Sequence, residues 1–406
     1  MKSFLGHRPA LLAGAAIFAV APAPARAPLP EAPALDSKAL ADALHDLCGK
    51  DVALLGEATH GDGRTLAFKA ALVPRLVEKC GFDAIFFEAS QYDFLALDRK
   101  RRNGEPVTRA QLASAIGGLW SLDQEMQPLI DYMFTAAAAG HLRLGGIDDN
   151  LGSAGAFYSL DEMPAELSSR LADPRAAACR TTLKRRIYYN YGAAPYSEAE
   201  RVAILRCLDE IGAALRGAGD RVDRPVRVEQ TQMLASFRRF VERDFRSDPA
   251  QIRDRDRSMY LNFRWLAARL PPHSKVIVWG ATSHIARDGA ASGRYPQGGN
   301  LGAYISGAYG KRAFALGFSA RGGVYRLGPR SGTRALPAPP AGSLEARALP
   351  PDRDGAVYLG PRSLARLGSV PAAPFAHEYQ TAPWNRILDG LVLFPEERSP
   401  RLVPAP

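Results

Sequence analysis

The sequence predicts an α/β protein with a three-layer, mostly parallel sheet and a helical lobe inserted between its strands. Short apolar runs recur along the chain, polar loops follow them, and segments with helical apolar spacing come next. The chain has 406 residues, of which 47% are hydrophobic and 23% charged. This length and composition are typical of a globular protein that buries a large core.

Five apolar runs and one later segment are predicted to be strands: 52–55, 84–87, 142–147, 275–279, 313–318 and the closing strand 387–394. Helices are predicted over 37–48, over 64–80 with a kink or break near Pro74, over 197–215 and over 228–245. We expect one domain over 26–395, with a helical lobe at about 150–270 between the third and fourth strands. The Pro-rich stretch 329–355 is predicted to be a loop, and 396–406 a tail.

The first 25 residues have the features of a signal peptide. Lys2 and Arg8 precede the apolar stretch 11–20, and small residues follow it, with a predicted cut after Ala25. The alternative is an uncleaved membrane anchor, but the stretch is short for a spanning helix. We therefore expect a periplasmic or secreted protein with no membrane association after the signal is removed.

The formal charge is +10, which raises the question of anionic partners. The basic residues are scattered, and only 99–102 and 184–186 form clusters, neither of them interleaved with aromatic residues. A nucleic-acid partner is therefore not expected. The predicted partner is a small-molecule substrate.

Four cysteines in an exported chain permit two disulfides. Cys48 and Cys80 each end a predicted helix just before a strand, and they would lie at one edge of the sheet if those strands are neighbours. Cys179 and Cys207 are placed to link two helices of the lobe. Four buried free thiols are the alternative. The sequence has no closely spaced cysteine pair, so a cysteine-built zinc site is not expected.

Polar residues follow four of the predicted strands. Ligands in parallel α/β sheets bind at the carboxyl ends of strands, so these residues are expected to converge there. They are Glu57 and His60 after the first strand, Glu88 after the second, Asp148 and Asp149 after the third, and Thr282, Ser283 and His284 after the fourth.

Several motifs resemble the erythromycin esterase family, in order, from about residue 37 to 395. They are LLGEATHG at 54–61, GFDAIFFE at 81–88, Leu119-Trp120 with Glu125, LGGID at 144–148, RDRSM at 255–259, the strand 275–279 leading to His284, and Leu388-Asp389-Gly390.

This resemblance implies hydrolysis of an ester or lactone by activated water, without a covalent enzyme intermediate. His60 would be the general base, with Glu57 and Glu88 orienting it or the water. His284 and Lys69 would stabilise the developing oxyanion. Lys69, Arg64, Trp279 and Asp148 are expected to bind substrate or transition state. No cofactor is expected.

Three positions depart from the family's pattern. Ala281 replaces the first histidine of a His-Asn-x-His element, Arg64 stands where many relatives have glutamate, and Lys69 replaces an arginine of macrolide esterases. These changes bear on specificity for a macrolide lactone more than on the fold. An exported location also argues against a role in antibiotic resistance.

Two other functions compete with this hypothesis. Glu57, His60, Glu88 and His284 also form a ligand set for zinc or manganese in a metal-dependent hydrolase or peptidase. A non-catalytic periplasmic binding protein is the second alternative, with an aromatic wall formed by Tyr188, Tyr189, Tyr191 and Tyr196. A serine hydrolase is not expected, because the chain has no GxSxG motif.

Overall fold

The computed structural model describes residues 36–150, 157–160, 162–187, 197–219, 222–244, 250–293 and 299–404. The strands are β1 (Val52–Leu55), β2 (Ala84–Ser90), β3 (Arg143–Asp148), β4 (Val276–Trp279), β5 (Ala313–Tyr325), β6 (Arg334–Ala335), β7 (Val357–Leu359), β8 (Ser369–Ala372), β9 (Gln380–Pro383) and β10 (Gly390–Glu397). The helices are α1 (Ser37–Cys48), α2 (Gly63–Cys80), α3 (Gln91–Arg102), α4 (Arg109–Ile116), α5 (Gly118–Ser121), α6 (Gln127–Ala138), α7 (Glu162–Ser168), α8 (Arg175–Ile187), α9 (Glu198–Gly217), α10 (Arg224–Asp244), α11 (Ala250–Ala267), α12 (Thr282–Ile285), α13 (Leu301–Tyr309), α14 (Leu344–Ala348), α15 (Pro361–Ala365) and α16 (Trp384–Ile387).

The central sheet has the strand order β3-β2-β4-β1-β5-β10-β7. The pairs from β3 to β10 are all parallel, whereas β7 is antiparallel to β10 and β6 is antiparallel to β5. Strands β8 and β9 form a separate antiparallel pair. The predicted fold class, a mostly parallel α/β sheet, is confirmed.

The first strand shows why the sheet is covered on both faces. Its four residues are all buried, with Ala53 and Leu55 in the core cluster on one face and Val52 and Leu54 in the cluster on the other. Helices α1, α2 and α6 contribute to the first cluster, and α11 and α13 to the second. A continuous apolar run, rather than an alternating one, is the pattern that such a strand requires.

Helices α7 to α11 lie between β3 and β4 in the chain. A third core cluster joins α3 with residues from these helices, including Leu183, Leu208, Ile211 and Phe237. Helix α9 begins at a capping box in which the Ser197 side chain and Glu200 cap each other's backbone.

Both cysteine pairs are at disulfide distance, with Cα–Cα separations of 4.8 Å for Cys48–Cys80 and 5.6 Å for Cys179–Cys207. The expected reason for the first pair needs correction, because β4 lies between β1 and β2. The two cysteines instead meet because α1 and α2 end side by side. Lys275 Nζ donates to the carbonyl oxygens of Cys48 and Cys80, both at 2.6 Å.

Several boundaries differ from the expectations. The stretch 329–355 contains β6 and α14, and β10 begins at Gly390 because α16 occupies the residues before Leu388. Pro74 is accommodated inside the continuous helix α2. The predicted signal peptide and the tyrosines at 188–196 lie outside the described residues. Among the residues that the structure does describe, no helix is long and apolar enough to cross a membrane.

Candidate active site

The Glu57 carboxylate is the centre of a buried polar cluster after β1. Its Oε1 lies 2.6 Å from His60 Nδ1 and accepts a hydrogen bond from Trp120 Nε1 at 2.8 Å. Its Oε2 accepts from Lys69 Nζ at 2.7 Å. The side chains of Glu57 and Lys69 are fully buried. Both carboxylate oxygens therefore have partners, as a charge buried this deeply requires.

The backbone reaches this position through a close approach at Gly56. A Cβ atom there would lie 2.6 Å from Thr282 Oγ1, so only glycine leaves room between the ends of β4 and β5. The Thr282 amide donates to the Glu57 carbonyl at 2.8 Å. The loop after β1 and the start of α12 are thus joined directly.

Charge and burial act against each other in this cluster. Burial alone would raise the pKa of Glu57, but the Lys69 charge and the His60 hydrogen bond outweigh it and lower that pKa. Burial lowers the pKa of Lys69, and its pairing with Glu57 offsets this only in part. For His60, burial lowers the pKa, but the Glu57 hydrogen bond and the negative charge of Glu88 raise it above its ordinary value.

The His60 ring is held in place by a hydrogen bond at one of its two nitrogens, Nδ1. Its Nδ1 faces the buried carboxylate, and its ring meets that of Trp120 edge-on at 5.0 Å between centroids. No described residue hydrogen-bonds Nε2, and 24% of the side chain is exposed. Because an ionised carboxylate only accepts hydrogen bonds, Nδ1 carries the proton, and in the neutral ring Nε2 has a free lone pair.

A second charged cluster surrounds Glu88, whose strand has an irregular register after Phe87. Glu88 Oε1 accepts from Arg255 Nη2 at 2.9 Å and lies 3.2 Å from His284 Nε2. Its Oε2 accepts from the Ala281 amide at 2.9 Å. Arg255, from α11, also makes a bidentate ion pair with Asp148. One arginine therefore joins the ends of β2 and β3.

His284 lies between two carboxylates. Its Nδ1 is 2.8 Å from Asp256 Oδ1, opposite Glu88 at Nε2. Burial alone would lower the pKa of His284, but the charges of Asp256 and Glu88 raise it to about 10. Arg255 Nη1 also lies 3.0 Å from Nε2. An imidazolium cannot accept from that guanidinium, so at neutral pH His284 donates to the two carboxylates.

Burial alone would raise the pKa of Glu88, yet His284 and Arg255 hold it well below its ordinary value. Burial alone would lower the pKa of Arg255, yet Asp148 and Glu88 hold it well above its ordinary value. Arg255 keeps 26% of its side chain exposed. The cluster therefore presents an accessible cation that is fixed by buried carboxylates.

The structure brings most of the predicted site residues into one of the two clusters. Glu57, His60 and Lys69 form the first cluster, and Glu88, His284 and Asp148 the second. Trp279 is fully buried, 3.7 Å from Lys69 Nζ to its ring centroid, so it lies behind Lys69.

Two further positions are engaged elsewhere. Arg64 lies outside both clusters, because its guanidinium is paired with Asp36 at 2.7 Å. Asp149 makes a buried bidentate ion pair with Arg243 at 2.6 and 2.8 Å.

Sequence reasoning gave no site role to Trp120, Arg255 or Asp256, although all three lie in quoted motifs. Their contacts join segments more than 25 residues apart, and the spacing of residues within a motif gives no sign of such contacts. The alternation of arginine and aspartate at 253–257 is a signal in the sequence that points to α11.

The hypothesised metal ligands, Glu57, His60, Glu88 and His284, already have partners within the protein at most of their donor atoms. Glu57 and Glu88 already accept hydrogen bonds on both oxygens, and both nitrogens of His284 face carboxylates. Within the described ranges, no three His, Cys, Asp or Glu side chains group as metal ligands. Glu57, Glu88 and His284 are therefore engaged by protein groups, and as arranged they do not form a common ligand set with His60.

Comparison with known proteins gives a family match. The family profile described as Erythromycin esterase matches residues 77–371. The Bacillus subtilis protein named "Putative hydrolase YbfO" is 26% identical over 336 residues, which are 76% of this chain and 73% of that protein. The family and this relative support a hydrolase.

Solved structures show the same fold. A Bacillus cereus protein superposes with a TM-score of 0.68 at 18% identity, covering 90% of this chain and 94% of that one. A structure titled as a succinoglycan biosynthesis protein gives 0.65 at 15% identity, covering 90% and 92%. A histidine-to-asparagine mutant of erythromycin esterase EreC, in its open conformation, gives 0.61 at 15% identity, covering 90% and 95%.

Proposed function

The chain belongs to the erythromycin esterase family, and we propose that it hydrolyses a carboxylic ester or lactone with water activated by His60. The observation that carries the proposal is the pairing of His60 Nδ1 with the buried Glu57 carboxylate at 2.6 Å. This pairing leaves Nε2, on a partly exposed ring, without a hydrogen-bond partner among the described residues. A fixed imidazole with one free basic nitrogen is suited to general base catalysis.

In the proposed reaction, Nε2 takes a proton from water as the water oxygen attacks the carbonyl carbon. The carbonyl π electrons move to the carbonyl oxygen and give a tetrahedral oxyanion. As the oxyanion collapses, the bond to the alkoxide breaks, and the protonated His60 returns its proton to the leaving oxygen. No bond to the enzyme forms at any point.

Glu57 stabilises the imidazolium that forms in this step, as the carboxylate of a catalytic triad does. Lys69 is fully buried between Glu57 and the Trp279 ring, so we assign it to holding Glu57 rather than to the oxyanion. The partly exposed Arg255, fixed by Asp148 and Glu88, is the better-placed cation to polarise a carbonyl.

The proposed substrate class, carboxylic esters and lactones, is taken from the family match, and a macrolactone is one member of that class to test. We further propose that the protein is exported, since both disulfide pairs would be stable in an oxidising compartment.

The test is the hydrolysis of aryl esters, lactones and macrolides by the wild type and by His60→Gln. General base catalysis contributes roughly 10²–10⁴ in rate, so kcat should fall by about that factor. His45→Gln, an exposed histidine on α1, is the matched control and should retain full activity. Retention of activity by His60→Gln would overturn the proposal.

Metal dependence is tested separately. The geometry predicts that exhaustive dialysis against EDTA leaves hydrolysis unchanged, with elemental analysis as the accompanying measurement. Loss of activity that Zn²⁺ or Mn²⁺ restores would instead support the metal-dependent alternative.

A further inference from the structure

A buried histidine outside both clusters lies against the loop that carries His60. His377 is in the turn between β8 and β9, beyond the residues that the family profile matches, and only 3% of it is exposed. Its Nε2 lies 2.8 Å from Asp62 Oδ1. Burial alone would lower the pKa of His377, but the Asp62 charge raises it.

Asp62 connects this histidine to the residue next to His60. Its Oδ2 accepts from the Thr59 amide at 2.8 Å, and its Oδ1 accepts from Thr59 Oγ1 at 2.6 Å. Because Thr59 directly precedes His60, the carboxylate holds the backbone amide and the side chain of the residue next to the imidazole. The three side chains are buried, so water does not compete for these hydrogen bonds.

The backbone of the same turn makes a second link. The Ala376 amide donates to the Ala58 carbonyl at 3.1 Å. Ala376 and His377 have φ angles of +50° and +58°, in the left-handed region that non-glycine residues rarely adopt. Such a conformation persists only where surrounding contacts impose it, and it is concentrated near functional sites. Here the surrounding contacts are those that Ala376 and His377 make with Ala58 and Asp62 in the loop that carries His60.

The other end of the loop is held as well. The Arg326 amide donates to the Gly61 carbonyl at 3.2 Å, and a Cβ at Gly61 would lie 2.0 Å from the Arg326 carbonyl oxygen. The Tyr325 ring packs on His377 at 4.5 Å between centroids. The end of β5 and the turn before β9 thus hold the loop together.

We propose that His377 is a positioning residue, which fixes His60 through Asp62 and Thr59; this rests on the proposed role of His60. His377 is too deeply buried to touch substrate, and it takes no part in proton transfer. Its effect is geometric, because a displacement of about 1 Å at a reacting group costs about 10²-fold in rate. The loss is expected in kcat, while substrate binding is retained.

The test compares His377→Leu, which removes the donor to Asp62, with His377→Gln, whose amide nitrogen reaches the position of Nε2. We expect His377→Leu to lower kcat by about 10- to 100-fold with KM changed less than about twofold. His377→Gln should restore most of that loss. If His377→Leu does not fold, Thr59→Val removes only the hydroxyl donor and should lower kcat in the same direction by less.

Tyr358→Phe is the control, because it removes a partly buried hydrogen bond to Asp46, at 2.7 Å, between α1 and β7. This variant should lose stability and keep its kcat. If His377→Leu behaves like Tyr358→Phe, with lower stability and unchanged kcat, His377 is merely structural and the inference is overturned.

A readout independent of turnover separates this inference from the proposed function. The ring resonances of His60, followed by NMR against pH, should shift and broaden in His377→Leu and recover in His377→Gln. Identical His60 resonances and an identical His60 pKa in all three proteins would overturn the positioning role. An active His60→Gln would overturn the proposed function, whatever the resonances show.

Discussion

Removing the buried Lys69 ammonium tests how the site is held together. In Lys69→Met, Glu57 keeps its charge at a fully buried position but loses the cation at 2.7 Å. At that separation and an effective dielectric constant of about 20, the lost attraction is about 6 kcal/mol before desolvation is counted. Losing one partner of a buried pair typically costs about 3–5 kcal/mol, and we expect this variant to lose that much.

The same change should alter the chemistry in a predictable direction. Burial alone raises the pKa of Glu57, and Lys69 is the main group that lowers it. Without Lys69, the Glu57 carboxyl is protonated more readily and stabilises the imidazolium of His60 less. We expect a large fall in kcat together with the loss of stability.

The double variant Glu57→Gln/Lys69→Met separates the two effects. Because it removes both buried charges, it should be more stable than Lys69→Met, but it should remain inactive. Urea unfolding gives the stabilities, and ester hydrolysis gives the rates. A cost below about 1 kcal/mol for Lys69→Met, or activity in the double variant, would refute this reasoning.

Three further predictions concern the surroundings of the site. Gly61→Ala should lower the free energy of unfolding by about 1–3 kcal/mol and remove much of the activity, because a Cβ there meets the Arg326 carbonyl oxygen at 2.0 Å. Gly49→Ala, with open space around it, is the control, and equal stabilities of the two variants in urea would contradict the prediction. The pKa of His284 is raised to about 10, so its contribution to stability should be complete below about pH 6.5 and lost as the pH rises towards 10. If His284→Gln and the wild type show the same pH dependence of stability in urea, His284 makes no such contribution. Replacing Cys48 and Cys80 by serine removes a cross-link between residues 32 positions apart and should lower the free energy of unfolding by about 2–4 kcal/mol. Unfolding of the wild type in urea that does not respond to a reductant would contradict this prediction.

The sheet could be predicted from sequence because its signals are local. Strands β1 and β4 are continuous apolar runs, and the apolar spacing over 37–48 predicts the helix at the bounds where the structure has it. The strand β5 continues past 318 to Tyr325, where glycines and Arg321 replace the apolar run, so periodicity could not find its end. Pairing order also could not be inferred, as the position of β4 between β1 and β2 shows.

The site was only partly accessible to the same reasoning. Glu57 and His60 are three residues apart, so a turn after β1 brings them together without any distant segment. Arg255 reaches Glu88 across 167 positions, and His377 reaches Asp62 across 315. Such contacts depend on tertiary packing. Arg64 shows the opposite failure: its position in the sequence near His60 predicts a role in the site, but its guanidinium is paired with Asp36 outside both clusters.

The most direct test of the account compares two pKa values of the free enzyme. One is the pKa of His60 measured by NMR, and the other is the acid limb of the pH profile of kcat/KM. The Glu57 hydrogen bond and the Glu88 charge raise the pKa of His60, so both values should agree and lie above about 6.5. A kinetic limb that departs from the His60 titration, or that survives in the residual activity of His60→Gln, would contradict His60 as the base.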